Sequence, residues 1–270
     1  MSATGTIRAG IGGWVFDPWR GTFFPDGLAK TKQLQYASRQ LPTIEINGTF
    51  YRGQKPETFA KWTSETPDSF VFSLKGHRAI SNRRELALAK ESIGIFFTTG
   101  IENLGDRLGP ILWQFRSTKQ FDADDIDAFL KLLPRRAGGI TLRHVLEVRH
   151  PSFVCPEFVR LAAKHKVAIC NADHETYPAI ADVTADFVYL RLQNGDESVA
   201  TCYEPAALDS WAARAKIWAD GKQPDGVPLA DPSHTPDKAP RDVFVYFINK
   251  GKIHAPQAAI ALMERVNTKL

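Results

Sequence analysis

Short apolar segments of strand length alternate with longer segments of helical character along the chain. We predict eight strands, and their ranges are 7–13, 43–47, 70–75, 111–115, 145–149, 167–170, 187–192 and 243–248. The predicted helices between and after them cover 30–39, 56–62, 82–108, 122–133, 156–164, 205–218 and 255–266. Within 82–108 apolar residues recur every three or four positions, as on one face of a helix. Glycines at 100, 105 and 109 predict that this helix breaks into pieces.

This alternation of strands and helices predicts a parallel sheet built from βα units. Eight units in roughly 250 residues match a TIM-barrel-like (β/α)8 fold, with one barrel domain over residues 1–270. An open doubly wound sheet would need a glycine-rich dinucleotide turn after the first strand. The sequence from Gly10 to Trp14 lacks the third glycine of that turn, and tryptophan and proline stand where a helix should begin.

One long segment, residues 221–241, lacks a helical or strand pattern. It contains five prolines and few large apolar residues. Because it follows a helix and precedes a strand, it should lie at the barrel end opposite the carboxyl ends of the strands. We predict a flexible loop there.

Several predicted strands end on charged or amide residues, although an unpaired buried ion is costly to desolvate. Side chains alternate along a strand with a period of two, and the charged residues always share one face while the other face is apolar. In a barrel, that pattern places the charges inside, at the carboxyl-end mouth where such folds keep their chemistry. The predicted inward set is Glu45, Asn47, Ser73, Lys75, Glu147, Arg149, Tyr189 and Arg191, with Gln114, Asp173 and Asn249 beside it.

Two interpretations of this polar set stay open. It could be a ring of ion pairs that closes the barrel, since three acids, Glu45, Glu147 and Asp173, face an equal number of basic residues. It could also be a ligand site, which we favour because apolar layers fill barrel interiors readily.

Composition limits the function classes. The chain is 43% hydrophobic with a net charge of +4, and its mixed charge gives only weak support for a nucleic-acid partner. No apolar run approaches the roughly 18 residues of a membrane span, and the start lacks the form of a signal peptide. Cysteines at 155, 170 and 202 are odd in number and widely spaced, which is typical of a reducing compartment. We expect a cytoplasmic protein without membrane contact, and the oligomeric state is not indicated.

Several runs of residues resemble a known family. They are Gly13-Trp14 with Trp19, Glu45-Ile-Asn47-Gly-Thr49-Phe50-Tyr51-Arg52, Gln114-Phe115, Glu147-Val-Arg149-His150, Tyr189-Leu-Arg191, and Tyr246-Phe247 with Asn249. In order and over nearly the whole chain, they are similar to the YecE-like family of bacterial domains of unknown function (number 72). The resemblance implies a TIM-barrel-like fold and no established reaction. The chain departs from the family pattern at Gln193, where a histidine is common, and at Phe16, Phe24 and Phe153.

The inward set predicts a small-molecule ligand that is anionic, including phosphorylated, or hydroxylated. We assign Glu45, Lys75 and Glu147 as catalytic candidates, with Lys75 either a Schiff-base amine or an ion-pair partner. The candidate binding residues are Asn47, Gln114, Arg149, His150, Asp173, Arg191, Asn249 and Trp14. The loops with Asn194-Gly195 and Lys250-Gly251 are phosphate candidates, because barrels often bind phosphate after strands 7 and 8. No cofactor is expected.

Two alternatives compete with this hypothesis. A metal-dependent phosphoesterase acting on nucleic acid would use Glu45, Glu147, His150, Asp173 and His174. Against it, the sequence has no HxH or HxxxH pair, and the neighbouring cations would repel a dication, so we predict no metal. The other alternative is a ligand-binding barrel without catalysis.

Overall fold

The computed structural model describes residues 4–267, and it confirms the predicted barrel. Eight parallel strands close into a ring in chain order, and the last strand pairs with the first. The strands are β1 (Ile7–Gly12), β2 (Thr43–Ile46), β3 (Val71–Lys75), β4 (Leu108–Gln114), β5 (His144–Glu147), β6 (Ala168–Asp173), β7 (Phe187–Asn194) and β8 (Asp242–Lys250). Their carboxyl ends therefore meet at one mouth, as the sequence pattern predicts.

Helices follow the strands and surround the barrel. They are α1 (Gln33–Gln40), α2 (Gly48–Tyr51), α3 (Pro56–Glu65), α4 (Arg78–Ser81), α5 (Lys90–Phe97), α6 (Ala123–Leu132), α7 (Pro156–Lys164), α8 (Pro205–Ala219) and α9 (Ala255–Asn267). Short 3₁₀ segments lie at Asp17–Trp19, Lys30–Lys32, Leu86–Ala89, Ile101–Arg107, Pro151–Phe153 and Lys252–His254.

The segment predicted as one broken helix is divided as expected. Leu86–Ala89, α5 and Ile101–Arg107 are separate pieces. Gly100, with φ +91°, begins the last piece in a left-handed conformation that glycine adopts without strain. Among the features that were not predicted are the single turns of α2 and α4, and a hairpin of Arg136–Ala137 with Ile140–Thr141. These elements are too short to produce a periodic signal.

On several strands the inward side chains change from apolar to charged toward the mouth. Along β7 they run from Phe187 through Tyr189 to Arg191, and along β3 from Val71 through Ser73 to Lys75. The outward side chains, such as Phe72, join the apolar core between the barrel and the helices. The predicted alternation is confirmed, and it concentrates charge at the carboxyl-end mouth.

The 221–241 loop contains no helix or strand and packs under the opposite end of the barrel, as expected. Arg241 donates a hydrogen bond to Gly221 O at 3.2 Å. His234 Nε2 lies 2.9 Å from Val183 O, and Ala181 N donates to Pro228 O at 2.8 Å. These contacts connect the loop to the segment before β7. Its flexibility stays a prediction.

The helices of residues 4–267 include none with both the length and the apolar character that crossing a bilayer requires. The three cysteines are free, with Cys170 and Cys202 buried and Cys155 partly exposed. Cys170 lies inside the barrel, where burial raises the pKa of its thiol well above the usual value. The cytoplasmic location stays a prediction.

Gly10 provides a test of how closely β1 and β2 approach. A Cβ atom there would lie 2.0 Å from the backbone oxygen of Thr43 in β2. Gly10→Ala should therefore lower the free energy of unfolding by about 1–3 kcal/mol, the usual cost of overpacking. Urea denaturation measures it. Gly94→Ala in α5 is the control, because nothing lies within 4 Å of its added methyl and alanine favours a helix. Equal stability of Gly10→Ala and wild type would contradict this strand geometry.

Candidate functional site at the barrel mouth

Five of the predicted residues form one buried cluster at the carboxyl-end mouth. Arg191 bridges two carboxylates: its Nη2 donates to Glu45 Oε1 at 3.1 Å, and its Nη1 donates to Glu147 Oε2. Arg149 donates through Nε and Nη2 to the other oxygen of Glu147, at 3.0 and 2.9 Å. Lys75 Nζ lies 3.9 Å from Glu45 Oε1. The cluster thus joins residues from β2, β3, β5 and β7, and Arg149 follows β5.

Arg191 and the carboxylates stabilise each other's charged forms. Burial alone would lower the pKa of Arg191, but Glu147 and Glu45 outweigh it and raise that pKa further. Burial would likewise raise the pKa of Glu147, whereas Arg191, Arg149 and Lys75 together lower it to about 2. Glu147 is therefore ionised at neutral pH, and it accepts protons poorly.

Neutral donors complete the surroundings of both carboxylates. Gln114 Nε2 donates to Glu147 Oε2 at 2.8 Å. Tyr189 Oη donates to Glu45 Oε2 at 2.7 Å, and Ser73 Oγ lies 2.8 Å from the same tyrosine oxygen. A buried carboxylate needs such donors to remain charged. Glu45 and Glu147 are therefore fully occupied by protein groups.

Lys75 is the exception in this cluster. Among residues 4–267 no acceptor lies within hydrogen-bond distance of its Nζ, and its nearest charged atom is Glu45 Oε1 at 3.9 Å. The Phe50 ring lies 5.4 Å from the ammonium. Burial and the repulsion from Arg191 lower the pKa of Lys75 from 10.5 to about 8, although Glu45 and Glu147 oppose that shift. Its positive charge is thus poorly compensated.

The expected one-for-one balance of charges at the mouth is wrong. Asp173 accepts hydrogen bonds from Tyr203 Oη at 2.7 Å and from Asn194 Nδ2 at 2.9 Å, so neutral groups hold it instead of a cation. The cluster itself has Lys75, Arg149 and Arg191 against Glu45 and Glu147. It therefore has one positive charge in excess when all five groups are ionised.

The cations of the cluster reach solvent more than the carboxylates do. Side-chain exposure is 20% for Arg149 and 9% for Lys75, whereas Glu45 and Glu147 are fully buried. The guanidinium of Arg149 lies 4.5 Å above the ring of Tyr177, which stacks on His174. The floor of the mouth therefore presents positive charge to an incoming molecule.

Four other predicted residues lie around the cluster without a hydrogen bond or ion pair to it among residues 4–267. His150 Nδ1 accepts from Ser152 N and caps a 3₁₀ turn. Asn249 donates to Gln193 Oε1 at 2.6 Å. Asn47 precedes α2, and Trp14 packs edge-on against Trp62 of α3 in the helix layer. Contact of these residues with a ligand stays a prediction.

The glycine loops after β7 and β8 have a packing reason of their own. A Cβ atom at Gly195 would lie 2.1 Å from Cys202 Sγ, and one at Gly251 would lie 2.6 Å from the same sulfur. The absence of side chains at these glycines thus accommodates Cys202 between the two loops. Phosphate binding by these loops stays a prediction.

The predicted metal ligands are separated in the structure. Within residues 4–267 no three His, Cys, Asp or Glu side chains are grouped to hold a metal ion. Glu147 already accepts hydrogen bonds from both arginines of the cluster, and His174 stacks on Tyr177. A dication between Glu45 and Glu147 would have to displace Arg191 and would meet Lys75 beside it.

A cavity of about 990 Å³ lies at the other end of the barrel, between the strand amino ends and the 221–241 loop. Two of its arginines share one carboxylate: Arg143 donates to Asp242 Oδ2 at 2.8 Å, and Arg8 lies 3.6 Å from the same oxygen. His144, in its wall, has a pKa lowered by burial to about 4 and is neutral. We place the candidate chemistry at the mouth instead, because the predicted site residues from four strands meet there.

Sequence reasoning missed the residues that support Lys75. Thr49 Oγ1 of α2 donates to Lys75 O at 2.7 Å, and Phe50 of the same turn lies under the ammonium. Tyr177, beneath Arg149, was missed too, because it lies in a loop without periodicity. The Glu45-to-Tyr51 run does give a signal, since it is the most specific part of the family resemblance and it surrounds Lys75.

Comparison with known proteins assigns the chain to a family. A family model described as "Protein of unknown function DUF72" matches residues 8–270. The chain belongs to this family. It is 27% identical over 157 residues to UPF0759 protein YunF of Bacillus subtilis (strain 168), covering 56% of this chain and 54% of that protein. It is 29% identical over 147 residues to UPF0759 protein YecE of Escherichia coli (strain K12), covering 54% of this chain and 50% of that protein. The chain thus spans about half the length of these relatives.

Solved structures of the family share the fold. A DUF72 family protein from Thermotoga maritima MSB8 superposes with a TM-score of 0.72 at 18% identity, covering 96% of this chain and 98% of that one. One from Enterococcus faecalis V583 gives a TM-score of 0.71 at 17% identity, covering 98% and 97%. At these identities the likeness establishes the barrel and leaves the ligand open.

Two substitutions distinguish a cation that stabilises the fold, Arg191, from a cation that is available to a ligand, Lys75. Arg191→Met leaves Glu45 and Glu147 buried without their bridge, so it should lower the free energy of unfolding by about 3–5 kcal/mol. Lys75→Met removes a poorly compensated buried charge and should leave stability at pH 7 equal or higher. Urea denaturation of the three proteins measures both effects.

The pH dependence of the free energy of unfolding tests whether the pKa of Lys75 is lowered in the folded protein. Between pH 8 and 10.5 the unfolded lysine keeps a proton that the folded one, with a pKa of about 8, has lost. Wild type should therefore gain stability relative to Lys75→Met as pH rises through that interval. A loss of several kcal/mol in Lys75→Met at pH 7 would instead mean that Lys75 belongs to a closing ion-pair ring.

Proposed function

We propose that this member of the DUF72 family binds a small anionic ligand, carrying a phosphate or carboxylate group, at the barrel mouth against Lys75 and Arg149. One observation supports this most: a nearly buried cluster holds one more cation than carboxylates, and the Lys75 ammonium has no acceptor among the described residues. A largely buried cation without a hydrogen-bond acceptor is costly. An anionic ligand would supply both the missing charge and the missing acceptor.

The two interpretations of the polar set, a ring of ion pairs and a ligand site, apply to different residues. Arg191 pairs through Nη1 and Nη2 with Glu147 and Glu45, and these three buried residues form the floor of the mouth, which matches a structural role. Lys75 and Arg149 are the members that reach solvent. We therefore place ligand contact on the latter pair, and the contact of Arg191 with a ligand stays a prediction.

The two cations provide different kinds of recognition. Lys75 offers three donors around a point charge. Arg149 is planar and is already oriented by its two bonds to Glu147, while its Nη1 has no hydrogen-bond partner among residues 4–267. Charge-assisted hydrogen bonds from such groups to phosphate or carboxylate are short and strong. A ligand with one anionic group would satisfy both.

A nucleic-acid ligand is the second candidate, and surface charge near the mouth favours it. Exposed arginines lie in the segments that follow β2, β3 and β4; they are Arg52, Arg78, Arg83, Arg84 and Arg116. Glu85 is the one acid in segments 47–55, 76–85 and 115–121. Tyr51 is 62% exposed beside Arg78, and exposed aromatic rings next to basic groups stack bases of single strands.

Phosphate binding tests the first candidate. Wild type should bind inorganic phosphate at pH 7 and low ionic strength, as measured by isothermal titration calorimetry. Lys75→Met should weaken the affinity at least tenfold, about 1.4 kcal/mol, because the acceptor-free cation is gone. Lys131→Met is the matched control, since Lys131 is exposed and paired with Asp127 on α6. Its affinity should equal that of wild type.

Equal phosphate affinity in wild type and Lys75→Met would contradict the proposed site. A single-stranded oligonucleotide tests the second candidate in parallel. If its binding falls with salt and with Arg83→Ala and Arg84→Ala together, while phosphate does not bind, the nucleic-acid function replaces the first one.

A further inference from the structure

The Lys75 amine has an arrangement that an ordinary ion-pair lysine lacks. Its Nζ is 3.9 Å from the nearest carboxylate oxygen, beyond hydrogen-bond distance, and its side chain is 9% exposed. Thr49 fixes the Lys75 backbone through a 2.7 Å hydrogen bond, and Phe50 lies against the ammonium at 5.4 Å. The amine is therefore held in place while its nitrogen stays unengaged at the mouth.

We propose that Lys75 is a nucleophile that forms a Schiff base with the carbonyl group of an anionic aldehyde or ketone. The inference rests on the proposed function, since Arg149 would hold the anionic group of that ligand beside the amine. This inference names a class of substrate for the anion site, namely oxo acids or phosphorylated carbonyl compounds. It also adds a covalent step to the binding of that substrate.

Burial prepares the amine for this step. A nucleophilic lysine must be unprotonated, and neighbouring cations with desolvation are the usual means of achieving that. Here burial and Arg191 lower the pKa of Lys75 to about 8. Near that pH about half of the amine is neutral, whereas an ordinary lysine with a pKa of 10.4 is below about 1% neutral.

The formation of the Schiff base conserves atoms and charge, as the following steps show. The Nζ lone pair attacks the carbonyl carbon, the C–N bond forms, and the carbonyl π pair moves to oxygen. A proton then passes from nitrogen to that oxygen through solvent water at the mouth, which gives a carbinolamine. The hydroxyl then leaves as water with one proton from solvent. In sum, one amine, one carbonyl and one proton become one iminium ion and one water.

The roles of the other cluster residues are consistent with this step. Arg191 lies between Glu45 and Glu147 and keeps both carboxylates in place, so it is a positioning residue. Arg149 lies on the solvent side and is free at Nη1 to meet a carboxylate or phosphate. The site therefore holds a nucleophile and a cation that can bind the anionic group of a ligand.

Reductive trapping tests the proposal directly. Full-length protein is treated with glyoxylate, an anionic aldehyde, and sodium cyanoborohydride at pH 8, and the lysine peptides are quantified by mass spectrometry. Lys75 should become carboxymethylated at least tenfold faster than Lys131, an exposed lysine of the same chain. Inorganic phosphate should slow the Lys75 reaction in a saturable way while leaving Lys131 unaffected.

Lys75→Arg keeps a positive charge at this position and removes the nucleophilic amine. It should still bind phosphate measurably in calorimetry, because a cation remains, yet it should give no adduct at position 75. If phosphate binding depends on Lys75 while Lys75 reacts no faster than Lys131, the Schiff-base proposal is overturned and the anion site stands. If neither binding nor selective labelling occurs, both are overturned. Fast labelling of Lys75 that phosphate does not slow would support the nucleophile and overturn the anion site.

Discussion

The organisation of the barrel mouth depends on Arg191, which lies between Glu45 and Glu147 inside the barrel. Each carboxylate comes from a different strand, so the arginine joins β2, β5 and β7 at their carboxyl ends. Taking three charges out of water is costly, and the hydrogen bonds from Gln114 and Tyr189 help to offset it. Because both carboxylates accept hydrogen bonds from other groups, neither accepts one from Lys75, and they compensate its charge only in part.

The incomplete compensation of the Lys75 charge is what makes this residue the candidate for ligand binding and reaction. A second arginine, Arg149, strengthens the charge of Glu147 and adds a positive charge that no third carboxylate matches. Asp173 could have supplied one, but it is held by Tyr203 and Asn194. The excess falls on Lys75, at the floor of the mouth. Residues with perturbed pKa values of this kind cluster at functional sites, where some stability is given up for activity. The structural floor and the candidate reactive group are thus one connected cluster with separate roles.

Much of this arrangement follows from local sequence, and the remainder depends on distant contacts. The inward positions of Glu45, Lys75 and Arg191 follow from strand periodicity, which is a local property. The partner of Asp173 is Tyr203, thirty residues further along the chain, in a loop that carries no periodic signal. The surroundings of Lys75 come from α2, a single turn too short to be predicted. The roles of the glycines after β7 and β8 depend on Cys202, which lies between the two loops and is close to them only in the folded chain.

The central claim is that Lys75 is a largely buried cation without a hydrogen-bond acceptor among the described residues, and that an anionic ligand supplies this acceptor. The most direct test is the pKa of Lys75, followed by NMR of ¹³C-dimethylated lysines, with Lys131 as the internal reference. In the free protein we expect a value near 8, and phosphate should raise it, because a nearby anion favours the charged amine. A value near that of an ordinary lysine in the free protein, or one that phosphate leaves unchanged, would contradict the account.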